Sequence, residues 1–406
     1  MELRDEFERC FAGLAAIGRD GAGGWTRLAW TVEDRAARGW FAAEAAARGL
    51  DVEQDRAGNL WAWWGGRGPG ALAVGSHLDT VPRGGAFDGA LGVVGGLLAV
   101  GALARGGAVP RWPVAVVAFA DEEGGRFGMA TFGSRVLAGT LDPAAVLERT
   151  GTDGVTLAEA LRAAGLDPAA LGPDPARLAR LAAAVELHVE QGRWLVDHDA
   201  PLGLASGIWP HGRWRLDLAG EANHAGTTRL EDRHDPVLGL AEAALAARAA
   251  AARHGAVATV GRLEVEPNST NSVAARVRAW LDVRAADAAT LDRVLAEVGG
   301  VLDRAAEGHG LAVEVACESR SPAVAFDRAL TDRLAACLRG RGLDPVELPT
   351  AAGHDAGVLA AAVPSAMLFV RNPTGVSHSP AEHAELSDCL AGVEALAAIV
   401  EELACR

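Results

Sequence analysis

The amino-acid sequence predicts an α/β protein with a second, α+β domain inserted into it. Three stretches carry that reading. Val74–Gly96, VGSHLDTVPRGGAFDGALGVVGG, runs from an apolar β-prone segment through a Gly- and Pro-rich loop into a helix of small residues from about Leu91. That order is one α/β unit. Pro113–Ala120, PVAVVAFA, is continuously apolar and β-branched, as a strand buried on both faces requires. Between residues 211 and 318 the pattern becomes strand, helix, strand, strand, helix, strand, the ferredoxin-like order. The expected division is therefore residues 1–210 with 319–406 as one domain, and 211–318 as the insert.

Taken in order, residues 1–50 read as helices, with Trp40, Phe41 and the Ala-rich run to Leu50 at helical spacing. Val52–Trp64 alternates around Asn59 as a hairpin arm. The strand Ala71–Val74 comes next, and then the loop with His77, Asp79 and Asp88. Leu91–Leu103 is the Gly-rich apolar helix, and Pro113–Ala120 ends in Asp121, Glu122 and Glu123. Residues 139–184 hold short helices between Gly, Pro and Asp turns. The short strand Val185–Val189 delivers His188, followed by Glu190, Gln191 and Gly192. In the insert, strands are expected at Arg213–Leu218, Val257–Val265, Val273–Val283 and Leu311–Cys317, with helices at Pro236–His254 and Ala288–Ala306. The first pattern then resumes. A helix spans about Asp327–Arg341, Ala366–Val370 is a strand, a loop carries His378, and a last helix covers about Ser387–Glu402.

Composition narrows the function. A chain of 406 residues, half apolar and 22% charged, has the make-up of an ordinary globular protein of two domains. No apolar run reaches the roughly 18 residues of a membrane span, and no signal peptide opens the chain. A cytoplasmic location is the expectation. A net charge of −15 argues against nucleic-acid or anionic-membrane partners. The sequence has no Lys, which removes Schiff-base chemistry and the P-loop lysine. The five Cys are widely spaced without a CxxC pair, so any metal must use His and carboxylate ligands.

The candidate ligands are ambiguous one by one. A polar loop with one His and two Asp is ordinarily a turn network, and Asp121–Glu123 can be the acidic start of a solvated helix. As a set they point elsewhere. His77 and Asp88, then Glu122 and Glu123, then His188, then His378 lie at the ends of successive predicted strands, where α/β sheets place their chemistry. Five such groups can build a two-metal site with one bridging carboxylate, which activates water and holds a carbonyl oxygen. Of two adjacent Glu, one can ligate while its neighbour moves the proton. With no nearby Cys and no Gly-x-Ser-x-Gly, the nucleophile would be metal-bound water.

Seven motifs then fall in order: HLDTVPRGGAFDG, DEEGGRFG with GSR after it, LHVEQG, NHAGTT with Arg233 and Asp235 following, PNSTN with LDVR, AGHDA, and GVSHSPAE. With them the chain, from about residue 5 to 402, resembles the N-carbamoyl-L-amino acid hydrolase and allantoate amidohydrolase branch of the M20 metallopeptidase family. The resemblance implies a zinc-peptidase-like catalytic domain with a central mixed sheet, and an inserted lid and dimerisation domain. It implies two divalent ions, zinc first, with Mn, Co or Ni as alternatives. His77, His188 and bridging Asp88 would hold one ion; Glu123, His378 and the same Asp88 the other. Glu122 would be general base and then acid, and the Asp79 carboxylate would orient His77. His224 would stabilise the oxyanion, often from the partner subunit of a homodimer. Gln191, Asn271, Arg284, Gly353 and His354 would bind the small-molecule substrate, with Arg284 forking its carboxylate. The plainer, lesser readings are a strand-end salt bridge for Arg284 and turn chemistry for Asn271.

The sequence departs from the family pattern at Gly125, at Arg229 and Leu230, and at Thr350–Ala351. These positions bear on substrate identity and remove no ligand. The activity implied is hydrolysis of a linear amide or ureido C–N bond in allantoate or an N-carbamoyl-L-amino acid. The alternatives are an N-formyl- or N-acyl-amino-acid hydrolase, as in histidine breakdown, and a silent binding protein on the same scaffold. Lid closure, with hinges near residues 207–212 and 318–322, is the expected motion.

Overall fold

The structure is a computed structural model that describes residues 2–406. It forms two compact units, one running up to Gly207 and resuming at Ala325–Arg406, the other Ile208–Val324.

The first unit is built on a mixed sheet. Its order is Asp51–Gln54, Leu60–Trp64, Val114–Phe119, Ala71–His77, Leu181–Val189, Ser365–Val370 and Leu202–Ile208. Val114–Phe119, Ala71–His77, Leu181–Val189 and Ser365–Val370 run parallel to one another, so their carboxyl ends share one edge of the sheet. Every residue of Val114–Phe119 is buried, which explains its unbroken apolar sequence. The helix Ala90–Arg105 lies directly on the sheet, with Ala90 to Gly101 buried. Its glycines permit this approach: a Cβ on Gly92 would lie 2.1 Å from the Leu187 carbonyl oxygen. Leu386–Val400 packs beside that helix.

The second unit is an antiparallel sheet in the order Ala312–Ser321, His211–Ala219, Arg276–Arg284, Val257–Glu266. Helices Pro236–His254 and Ala288–His309 cover it around a core including Leu216, Val277, Leu281, Leu291 and Val298. Connectivity and strand order are ferredoxin-like. The helix ends are written in the sequence. Asp235 and Asp287 accept backbone N–H groups at the starts, and Gly255 and Gly310 take left-handed conformations at the ends.

Some elements depart from expectation. Leu181–Val189 begins four residues earlier than the predicted strand. Leu202–Ile208 and Val346–Thr350 are strands that periodicity does not reveal. Their sequences, LGLASGI and VELPT, mix apolar residues with Gly, Ser or Pro and have no clean alternation. Among the described residues no helix is long and apolar enough to cross a membrane.

Candidate active site

The parallel strands of the first unit bring their ligand-type side chains to one edge. His77 closes its strand, and Gly75 stands opposite Glu186 in the neighbouring strand, two residues before His77 and His188 respectively. Phe369 is opposite His188 one strand further on. Asp88 ends the loop after His77, and Gly89 begins the helix with φ of 64°. A Cβ on Gly89 would meet the His77 ring at 2.4 Å. Gly89→Ala is expected to destabilise the protein by about 1–3 kcal/mol through strain at a left-handed residue, as measured by denaturant unfolding of metal-stripped protein. An unchanged midpoint would show that the loop relaxes freely.

Two groups share Asp88. Its Oδ1 lies 3.4 Å from His77 Nε2 and 3.2 Å from His188 Nε2. Its Oδ2 lies 3.5 Å from His378 Nε2, which is 3.3 Å from Glu123 Oε2. Both sets, His77–Asp88–His188 and Asp88–Glu123–His378, are tight enough to hold a metal ion. The first is fully buried, while His378 is half exposed and adopts φ of 55°.

The imidazoles are oriented from behind. His77 Nδ1 is 3.1 Å from the Asp79 carbonyl oxygen, and His188 Nδ1 is 2.8 Å from that of Val189. Carbonyls can only accept, so both Nδ1 atoms carry the proton and Nε2 faces Asp88. This is the usual arrangement behind a metal-ligating His. Electrostatics agree. Burial disfavours charge on His77, but Glu122, Asp88 and Asp79 outweigh it and hold its pKa well above the ordinary value. Burial likewise opposes charge on Asp88, yet His188 and His77 keep it well below the usual carboxylate range. Burial, reinforced by Asp88, pushes Glu123 up to about 8. Crowded, buried carboxyls are costly to ionise together, a cost that a bound cation would relieve, and the oxygen and nitrogen donors, without thiolate, fit hard or borderline divalent cations.

Glu122 belongs to neither set. Its Oε2 is 3.7 Å from His77 Nε2. Burial pushes its carboxyl well above the usual range; His77 opposes this, and Asp355 and Glu123 add to it. The structure corrects one expectation. The Asp79 carbonyl oxygen, not its carboxylate, is in hydrogen-bonding range of His77, and Oδ1 is 3.8 Å away. The Asp79 carboxylate instead accepts the backbone N–H groups of Glu122 and Glu123 at 3.1 and 3.0 Å, fixing the acidic turn.

Other first-unit residues also reach this edge. Gln191 donates to Asp88 Oδ2 at 2.7 Å. His354 is buried with its ring centroid 4.6 Å from that of His188, and its Nε2 has no hydrogen-bond partner. Burial and His188 hold His354 well below its usual pKa, so it is neutral. Glu186, His188 and His354 form a third close group, but Glu186 already accepts Ser76 Oγ at 2.7 Å and the Ala356 N–H at 2.8 Å. Gly353 is exposed, with nothing within 4 Å of a would-be Cβ. Sequence reasoning passed over Glu382, Ser377 and Asp355. Glu382 closes the motif that holds His378, and two of its partners are backbone N–H groups, which leave no sequence signature.

In the second unit, Asn223–His224 pairs with Ser272–Val273, and the Ala225 N–H donates to the Asn271 carbonyl. This short ladder sets His224 opposite Ser272, with Asn271 the next residue beyond it. His224 Nδ1 accepts the N–H groups of Gly226 and Thr227 at 3.0 and 3.2 Å, so a neutral His224 carries its proton on Nε2. The Asn271 side-chain oxygen accepts Ser269 Oγ at 2.7 Å. Arg284 ends its strand with Nε donating to Asp282 at 2.8 Å, the geometry of a strand-end salt bridge.

Comparison with known proteins follows the same outline. The sequence pattern of Peptidase family M20/M25/M40 matches residues 73–402. An N-carbamoyl-L-amino acid amidohydrolase of Geobacillus stearothermophilus is 38% identical over 394 residues, covering 96% of each chain. An allantoate amidohydrolase of Escherichia coli is 32% identical over 408 residues, covering 99% of this chain and 98% of that one. The crystal structure of a hydantoinase/carbamoylase-family amidase from Burkholderia vietnamiensis superposes with a TM-score of 0.89 at 32% identity, covering 99% of this chain and 98% of that one.

Proposed function

The chain belongs to peptidase family M20/M25/M40, and from that premise we propose that it is a metal-dependent amidohydrolase of linear C–N bonds, acting on a ureido or amide substrate that bears a carboxylate. Allantoate and N-carbamoyl-L-amino acids are the substrates proposed. The observation that carries the reading is Asp88, whose two oxygens face two separate ligand groups with the buried Glu122 beside them. The complete donor set also weighs against a silent binding protein.

His77, His188 and Asp88 would hold one divalent ion, and Glu123, His378 and Asp88 a second, zinc in first place and Mn, Co or Ni as alternatives. Such a pair supplies Lewis-acid polarisation of the scissile carbonyl and acidifies water. The chain's own groups do the rest. Glu122 takes a proton from the attacking water and delivers it to the leaving nitrogen, and its raised pKa suits the second role. For a ureido substrate, one water gives the amine with carbon dioxide and ammonia. His224, whose Nδ1 is occupied by two backbone N–H groups, offers Nε2–H as a donor suited to an oxygen that gains negative charge. Asn271 offers a side-chain amide to the substrate, and Arg284 a guanidinium to its carboxylate. Gln191, Gly353 and His354 complete the proposed substrate contacts. The second unit is proposed as lid and as the surface of a homodimer.

The test is removal and return of metal. Dialysis against a strong chelator should abolish hydrolysis of both allantoate and N-carbamoyl-L-amino acids. Restoring zinc, manganese, cobalt or nickel should bring back turnover on at least one of them, with dipeptides turned over slowly. N-formyl-amino acids in the same panel decide for the acyl-amino-acid reading if they are the better substrates. Full activity in chelator would sink the mechanism.

A further inference from the structure

We propose that Glu382 is a positioning residue that clamps the Asp88 loop to the His378 loop and so sets the spacing of both ligand groups. The side chain is buried, 5% exposed. Its Oε1 accepts two consecutive backbone N–H groups, Phe87 at 2.9 Å and Asp88 at 3.0 Å. Its Oε2 lies 3.1 Å from Ser377 Oγ, whose hydroxyl is also 3.1 Å from Asp88 Oδ2. The backbone N–H of Glu382 closes a turn onto the Ser379 carbonyl, and His378 sits in this segment with its left-handed backbone.

One carboxylate therefore holds the main chain at Asp88 with one oxygen and the segment around His378 with the other. Asp88 is common to both groups, so a shift of its backbone moves one oxygen of each. A second anion beside Asp88 costs free energy through repulsion and burial. Two backbone N–H groups offset that cost, and the single Ser377 hydroxyl proton is shared between this carboxylate and Asp88. The surroundings make room for it. A Cβ on Gly85 would lie 2.1 Å from Glu382 Oε1 and 2.6 Å from Glu382 Cβ, so any side chain at position 85 must displace the carboxylate from its N–H partners. Glycine at 85 and glutamate at 382 are two halves of one device.

The inference rests on the metal-site reading, and the experiment separates the two. Zinc affinity of the full-length chain is measured by competition with a chromophoric chelator, next to thermal unfolding of the metal-free protein. Glu382→Ala should weaken zinc binding by about 10- to 100-fold, the usual cost of removing a group that orients ligands, with little change in the metal-free unfolding temperature. Glu382→Gln should stay within a few-fold of wild type. Its amide oxygen can still accept both N–H groups, and its NH2 can donate to Ser377 Oγ. Gly85→Ala should reproduce the loss, and adding it to Glu382→Ala should cost nothing further. Wild-type zinc affinity in Glu382→Ala, or glutamine no better than alanine, overturns the clamp. Should Glu382→Ala fail to fold, Gly85→Ala decides, and unchanged affinity there overturns it. A wild-type chain that binds no metal would instead overturn the site assignment itself.

Discussion

Replacing Glu122 with glutamine is expected to leave metal content unchanged and to cut turnover by about a hundred- to ten-thousand-fold, the range for losing a positioned acid–base group. The side chain lies outside both ligand groups, with its nearest imidazole nitrogen 3.7 Å away at His77. An amide of the same shape fills the space and cannot take a proton. The backbone N–H of Glu122 donates to Asp79 irrespective of the side chain, so the acidic turn keeps its form. Metal analysis together with kcat on the best substrate reads the result. Near-normal turnover would refute Glu122 as the proton carrier; lost metal would reassign it as a ligand.

Asp88→Ala should do the opposite, removing metal and activity together. Each Asp88 oxygen serves a different group, Oδ1 toward His77 and His188 and Oδ2 toward His378. Deleting the carboxylate removes one of three ligands from each. His77→Ala removes a ligand from one group only, and the set of Asp88, Glu123 and His378 remains. Elemental analysis after dialysis should find Asp88→Ala with almost no metal and His77→Ala with about half the wild-type content. One ion kept at full affinity in Asp88→Ala would sink the shared role.

These expectations were legible to different depths. The strand, loop and helix around His77 could be read because an apolar run is punctuated by Gly and Pro before a helical pattern begins. The strand Val114–Phe119 could be read because burial on both faces demands an unbroken apolar sequence. Asp121–Glu123 stood out because acids at the end of such a strand conflict with its burial. What stayed hidden depends on backbone atoms or distant partners. Glu382 meets the Asp88 N–H across 294 positions, and any backbone amide looks alike in a sequence. The Asp79 carboxylate was expected on an imidazole and is instead spent on two N–H groups. Its carbonyl, which every residue has, is the group in hydrogen-bonding range of His77 Nδ1, with the carboxylate further off at 3.8 Å. Leu202–Ile208 escaped notice because strand propensity is weak where Gly and Ser interrupt it.

The pairing of Asn223–His224 with Ser272–Val273 has a consequence for how this protein can diverge. His224 and Asn271 come from segments more than forty positions apart in the chain, yet His224 lies on this short ladder and Asn271 adjoins it through the Ala225 N–H. A change in either turn that tilts the ladder re-aims both side chains at once. Substitutions at the two positions are therefore expected to be non-additive. New specificity at one is reached through changes the other must survive.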